Sequence, residues 1–440
     1  MFTPTFMTAS FKLSACLFSI CLLSACASNS NIIKAAALTQ TKSPNNSKII
    51  AKQKSQNRGR PPVYYNQPIL QDSKLTSMSL EQLMSRVSQI APRFVNPTGP
   101  LLYSSPGLVV GIISEEGKSI RSYGNANLEN PKQINGDTLF GIGSITKIFT
   151  GIILAHCVQE GSLKLDESAN IYLPTDLQLP SDSITLRHLV THTSGLPNYP
   201  GNINTPRDIN GDGINDSDQY SPGRNYSRQH LSEWLKQSAR LEYKPGNYSQ
   251  YSNLGFGILA LALQSHLNFE DFEELNNSII TKDLLMTRTH TIKGTMKQKF
   301  DVNQAQGYAF DYGSLIPVPF SDMGSLEGAG ELVSTTNDLL LLLEGLTGIK
   351  HSTISSAFKE VSQPLATIGM DKIGYGFKIK QSNKGGTYYA KAGSTAGYSS
   401  IVLWRRHPKI GIVLLSNRGN FKKINQLGTR LIEAAVIFSN

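Results

Sequence analysis

Three short motifs in this 440-residue chain carry the residue types needed to transfer an acyl group. Ser144-Ile145-Thr146-Lys147 places a hydroxyl and an amine three residues apart, just after Gly143, where a run that reads as a helix begins. Residues at i and i+3 share a helix face, so the amine can approach the hydroxyl. A serine hydroxyl attacks poorly until a base takes its proton, and an adjacent lysine can assist. The helix N-terminus favours the negative charge that develops there. Tyr251-Ser252-Asn253 and Lys391-Ala392-Gly393 follow along the chain. Each pattern is weak alone. Ser356-Ala357-Phe358-Lys359 repeats the first, Tyr64-Tyr65-Asn66 the second, and the Lys-x-Gly spacing recurs at Lys244 and Lys384.

Order and surroundings discriminate between the copies. Around Ser144, Tyr251 and Lys391 stand the stretch from Ile184 to Pro197, Lys244-Pro245-Gly246, Gly328-Ala329-Gly330 and Val333-Ser334-Thr335. With these flanks the sequence resembles the serine β-lactamase family of class C β-lactamases, D-Ala-D-Ala carboxypeptidases and related esterases, from about Pro106 to Asn417. The resemblance implies that Ser144 forms an acyl-enzyme while Lys147 and Tyr251 shuttle its proton, Tyr251 as a phenolate stabilised by nearby ammonium groups. Asn253 is expected to bond Lys147 or a substrate amide, and Lys391 to supply positive charge towards Tyr251 and a substrate carboxylate. Gly393 is expected to let a substrate lie against its strand. The backbone N–H groups of Ser144 and Ser394 would form an oxyanion hole. No cofactor is expected for catalysis. Two departures bear on substrate: Ala392 stands where lactamases tend to have Thr, and Glu331 where relatives often have Gly. His188 and His192 suggest a Ser-His-Asp triad, but Ile142 and Thr146 occupy the glycine positions of a Gly-x-Ser-x-Gly elbow. The histidines are therefore read as structural.

These residues need a scaffold. Leu80, Leu83, Met84, Val87 and Ile90 recur at helical spacing within Leu80–Phe94. Strand-like runs at Gly107–Ile113 and Ser119–Tyr123 flank the turn signal Glu116-Gly117. The chain from about 144 to 346 reads as helices. Strands return at Tyr375–Lys380, Thr387–Lys391, Tyr398–Arg405 and Ile410–Ser416, before a last helix over Lys422–Phe438. The expected fold is mixed α/β (α+β) and β-lactamase-like, an antiparallel sheet built from both chain ends with an inserted all-helical lobe. The site would lie where lobe and sheet meet.

The expected domains are a signal peptide at 1–25, a basic tether at 26–78 and a hydrolase domain at 79–440. Lys12 precedes an apolar run from Leu13 to Leu23 that is short for a membrane span. Leu23-Ser24-Ala25-Cys26 resembles the lipobox of bacterial lipoproteins, which implies lipidation at Cys26 and a membrane-anchored protein facing the periplasm. By resemblance to enterobacterial sorting rules, Ala27 after that cysteine favours the outer membrane. Cys157 would then be the lone thiol of the folded part and reads as core filler. Of the net charge of +10, residues 1–75 carry +8, nine basic side chains against Asp72, leaving +2 for the rest. A nucleic-acid partner is thereby excluded.

Asp208, Asn210, Asp212 and Asp216, with the Ile214 carbonyl, place oxygens at calcium-loop spacing, and Gly213 falls at the sharp turn. This loop reads as an insertion at 201–228 that would bind structural Ca2+. The expected partners are a peptidoglycan peptide, a β-lactam or a small ester or amide, with the membrane engaged through lipid. The function read from the sequence is a D-Ala-D-Ala carboxypeptidase or related peptidoglycan peptidase. The alternatives are a class C-like β-lactamase or esterase, or, from another class, a non-catalytic penicillin- or cell-wall-binding lipoprotein.

Overall fold

The strands the apolar runs demand pair into one antiparallel sheet in a computed structural model, which describes residues 63–65, 75–95, 104–204, 219–292 and 303–438. In spatial order the sheet comprises β1 (Val63–Tyr65), β9 (Ala366–Ile368), β10 (Asp371–Ile373), β11 (Lys378–Gln381), β12 (Thr387–Ser394), β13 (Ser399–Arg406), β14 (Lys409–Ser416), β3 (Gly107–Ser114) and β4 (Gly117–Gly124). The junction of the two chain ends is β14 against β3, with Ile412 opposite Ile112 and Leu414 opposite Val110.

Every residue of β3 is buried, because both sheet faces are covered. Alternation along the strands sorts side chains into two cores. Val109, Val402, Trp404 and Val413 face the helical side. Leu108, Val110, Ile112, Leu403 and Leu414 face the other, under α1 (Leu80–Ile90) and the C-terminal helix Lys423–Ala434. The helical side packs α2 (Thr146–Gln159), α3 (Leu186–Val190), α4 (Arg228–Gln237), α5 (Asn253–Leu267), α6 (Thr336–Thr347) and α7 (Ser355–Val361); the C-terminal helix is α8. Helices α2 and α5 are apolar on nearly all sides, as befits helices buried at the centre of a lobe. Cys157 of α2 is 2 % exposed, and burial pushes its thiol up to about 11, so it is inert packing.

Several expected elements differ from those observed. The lobe is not all-helical: β5 (Phe140–Gly141) pairs with β8 (Val333–Ser334), and β6 (Gly307–Asp311) forms a hairpin with β7 (Ser314–Val318). The first helix stops at Ile90 and becomes a 3-10 turn at Ala91–Phe94, where Pro92 supplies no backbone N–H. The last helix ends at Ala434, and β15 (Val436–Phe438) pairs with β2 (Leu75–Ser77). The expected strand Tyr375–Lys380 is realised only from Lys378, in β11, and β10 precedes it at Asp371–Ile373. Between them Gly376, at φ 89°, runs so close to α2 that a Cβ there would lie 2.9 Å from the Lys147 carbonyl.

Strands β1 and β2 lie within the stretch read as a tether, so its C-terminal part belongs to the folded unit. That compact unit runs from Asn57 onward. Cys26 and the calcium-spaced residues Asp208, Asn210, Asp212, Ile214 and Asp216 lie outside the described residues.

Candidate active site

Ser144 occupies a 3-10 turn, Gly143–Ile145, that feeds directly into α2. Gly143 takes φ 51°, and a Cβ on it would lie 2.9 Å from the Ser394 nitrogen, so the turn sits flush against the end of β12. Thr146 locks this turn: its hydroxyl donates to the Gly143 carbonyl at 2.7 Å and accepts from the Leu332 N–H at 3.1 Å. The two expected oxyanion donors, Ser144 and Ser394, are thus carried by segments in contact.

Lys147, one helical turn on, is fully buried. Its Nζ donates to Asn253 Oδ1 at 2.6 Å and to the Ala329 carbonyl at 2.5 Å, and lies 3.3 Å from Ser144 Oγ. Burial, with Lys391 nearby, holds the amine well below its ordinary range. A neutral amine has two hydrogens, which Asn253 and Ala329 accept. Its lone pair then faces the Ser144 hydroxyl. The arrangement can therefore remove the serine proton without first moving a side chain.

Tyr251 Oη lies 2.6 Å from Ser144 Oγ. Lys147 Nζ and Lys391 Nζ stand 4.9 Å and 5.2 Å from the centre of its ring. Part of the ring faces the open cleft, the residue being 41 % exposed, but its hydroxyl end points into this cluster. Burial pushes the phenol up, against the phenolate expected from sequence. Lys391 beside it is itself lowered to about 7, by burial and by Lys378. A protonated phenol in this position can donate to Ser144 Oγ.

Two positioning groups escape the sequence motifs. The Asn198 side-chain oxygen accepts from Asn253 Nδ2 at 2.9 Å and from the Asn253 N–H at 3.2 Å, fixing the amide so that Oδ1 faces Lys147. Asn253 thus makes the expected bond to Lys147. His192, expected to be structural, accepts the Ser252 N–H at 3.1 Å on Nδ1 and the Gln250 N–H at 2.9 Å on its carbonyl. Both peptide neighbours of Tyr251 therefore hang on one residue, whose ring packs 4.4 Å from the Tyr251 ring. His188 instead caps α3, its Nδ1 accepting the Thr185 N–H.

Gly393 has a different cause from the one expected. A Cβ there would fall 2.0 Å from the Ile142 carbonyl and 2.4 Å from Ser400 Oγ, both groups of the protein itself. The glycine lets β12 meet the nucleophile turn. Ser394 Oγ accepts from the Asn420 N–H at 3.2 Å, tying the strand end to the segment before α8. Glu331 is buried and accepts the Met323 N–H at 3.0 Å, a structural role on the cleft wall.

Two cavities meet at Tyr251. One, of about 510 Å³, opens over Ser144 and is lined by Tyr199, Tyr220, Met323 and Phe421. The other, of about 600 Å³, lies beyond Tyr251 and is lined by Lys378, Lys380, Lys391 and Thr429. Asp371 is the counter-charge to two of these lysines, at 2.5 Å from Lys378 and 3.8 Å from Lys380.

Comparison with known proteins agrees with this geometry. The family model described as Beta-lactamase matches residues 73–437. The chain is 25% identical over 325 residues to penicillin-binding protein 4* of Bacillus subtilis, covering 70% of this chain and 67% of that protein. It is 28% identical over 229 residues to the D-alanyl-D-alanine-carboxypeptidase/endopeptidase AmpH of Escherichia coli, covering 50% of this chain and 55% of that one. Among solved structures, D-alanine carboxypeptidase AmpC from Burkholderia cenocepacia shares the fold, with a TM-score of 0.64 at 22% identity, over 80% of this chain and 99% of that one.

Proposed function

We propose that this chain, which belongs to the beta-lactamase family of serine hydrolases, is a D-Ala-D-Ala carboxypeptidase or a closely related peptidoglycan peptidase. Ser144 would attack the carbonyl carbon as its proton passes to Lys147, and the oxyanion would settle between the Ser144 and Ser394 N–H groups. Tyr251 would carry a proton to the leaving amine. Release of that amine leaves an acyl-enzyme, which water then clears. The observation that carries this reading is the second cavity. It borders Tyr251, and three amines against one carboxylate suit a leaving group that bears a carboxylate, as D-alanine does. A neutral ester would gain nothing there. The similarity to AmpH, a carboxypeptidase/endopeptidase, supports the same choice. The sequence features at Cys26 support a lipid-anchored, periplasm-facing protein, which would put the anchor and a peptidoglycan substrate in one compartment.

Intact-mass measurement with a fluorescent penicillin and a D-Ala-D-Ala peptide, on wild type and Ser144→Ala, tests the reading. A long-lived penicilloyl adduct with peptide turnover, both lost in Ser144→Ala, is the expected result. Rapid penicillin turnover without peptide cleavage would make the protein a β-lactamase instead. No adduct and no turnover of peptide, penicillin or simple esters would leave a binding protein.

A further inference from the structure

The sheet's outermost strand comes from the N-terminal segment, and its last residue reaches the turn that holds Tyr251. We propose that Tyr65 is a positioning residue for Tyr251, acting through the Thr191–Thr193 turn; this rests on the reading of Tyr251 as part of the proton path.

Val63, Tyr64 and Tyr65 pair with Ile368, Thr367 and Ala366. Alternation leaves Tyr64 54 % exposed and turns Tyr65 inward. The Tyr65 ring packs against His188, with centroids 6.4 Å apart, and the Arg187 guanidinium lies 5.9 Å from its centre. Arg187 is itself held by Asp166 through bonds of 2.6 Å and 2.9 Å.

The hydroxyl of Tyr65 lies 3.3 Å from Thr193 Oγ1, which lies 2.9 Å from Thr191 Oγ1. Thr191 donates its only hydroxyl hydrogen to the Arg187 carbonyl at 2.6 Å. The direction of the chain follows: Thr191 accepts from Thr193, and Thr193 accepts from Tyr65. Burial raises the Tyr65 phenol above its ordinary range, which keeps that donor protonated.

Between the two threonines sits His192, the residue from which both peptide neighbours of Tyr251 hang. Its φ of 60° is a left-handed conformation that a histidine keeps only when its surroundings impose it. On the far side of the same turn, the Thr193 carbonyl accepts the Gly246 N–H at 2.8 Å. The turn is therefore gripped by the Tyr251 segment on one side and by Tyr65 on the other. Loosening the outer grip lets His192 relax and moves the Tyr251 hydroxyl away from Ser144 Oγ.

The test uses the full chain carrying Tyr65→Ala, Tyr65→Phe, Thr193→Val, or the last two combined. Acylation by a fluorescent penicillin is followed at a temperature where circular dichroism shows every variant folded. Saturation kinetics separate the maximal acylation rate from the affinity before acylation. Tyr65→Ala is expected to lower the maximal rate about tenfold with affinity changed less than twofold, since small misplacements of reacting groups act on rate. Tyr65→Phe, which keeps the ring, should recover part of that loss. Adding Thr193→Val to Tyr65→Phe should cost less than Thr193→Val costs the wild type, because the Tyr65–Thr193 bond is already gone and only the Thr193–Thr191 bond is left to lose. Wild-type rates in all variants, or losses confined to melting temperature, would overturn the brace while leaving the hydrolase reading intact. A wild-type chain that penicillin does not acylate would overturn both.

Discussion

At the scale of single residues, the two buried lysines have opposite requirements. Lys147 serves as a base only when neutral, and burial drives it there. Lys391 attracts a carboxylate only when charged, and burial brings its midpoint to about 7. For a peptide with a terminal carboxylate, kcat/KM should therefore fall as pH rises through about 7, as Lys391 loses its proton in the free enzyme. A neutral ester should show no such fall, because its recognition does not use that charge. Parallel pH profiles on the two substrates check this. An alkaline limb of equal size on both would separate Lys391 from carboxylate recognition. The same shift has a stability consequence of defined sign. Between about pH 7 and the ordinary lysine value the unfolded chain binds more protons than the folded one, so stability rises with pH there. Lys391→Met should flatten that slope.

At the scale of elements, the site depends on how closely β12 approaches the turn before α2. Gly393→Ala would drive a methyl group into the Ile142 carbonyl, where Ser400 Oγ already donates at 2.8 Å. Strand and turn must separate, carrying Ser394 away from Ser144. The expected loss is about 1–3 kcal/mol of stability and about 100-fold in acylation rate. Denaturant unfolding and penicillin acylation measure the two, and a variant that acylates at the wild-type rate would show the contact to be dispensable. This dependence was only half visible in the sequence. Ser144, Lys147, Tyr251 and Asn253 were legible because each lies at the head of an apolar helix, where motif and periodicity agree. The β6–β7 hairpin was not. Its turn is Tyr312-Gly313, with φ of 44° and 81°, and the tyrosine hides a two-residue turn usually marked by Asn-Gly or Asp-Gly. Pro317 within β7 further argues against a strand, yet is tolerated in a two-stranded ribbon. Asn198 and Tyr65 were invisible for another reason. Their contacts join segments 55 and 128 residues away, and no local pattern encodes such a meeting.

At the scale of the whole molecule, the docking of β1 shortens the distance over which the catalytic unit could range from a lipid anchor. With Val63 paired into the sheet, 36 residues separate it from Cys26. A chain of that length spans at most about 120 Å when fully extended. Those 36 residues hold seven basic side chains and no acidic one, so most of the protein's charge would lie between such an anchor and the sheet. Each basic group near an anionic leaflet contributes about 1 kcal/mol of attraction, which salt weakens, whereas acyl chains hold irrespective of salt. The two contributions are therefore separable in one protein. Cys26→Ser, expressed in bacteria with intact lipoprotein processing, should move the protein from the detergent phase to the aqueous phase on cloud-point extraction. Its residual binding to anionic vesicles should vanish in high salt. Because Cys26 is remote in sequence from the site residues, the variant should acylate with soluble penicillin at the wild-type rate. Wild-type protein found in the aqueous phase, or Cys26→Ser retained in detergent, would remove the lipid anchor from this picture and leave the basic segment as the only attachment to a membrane surface.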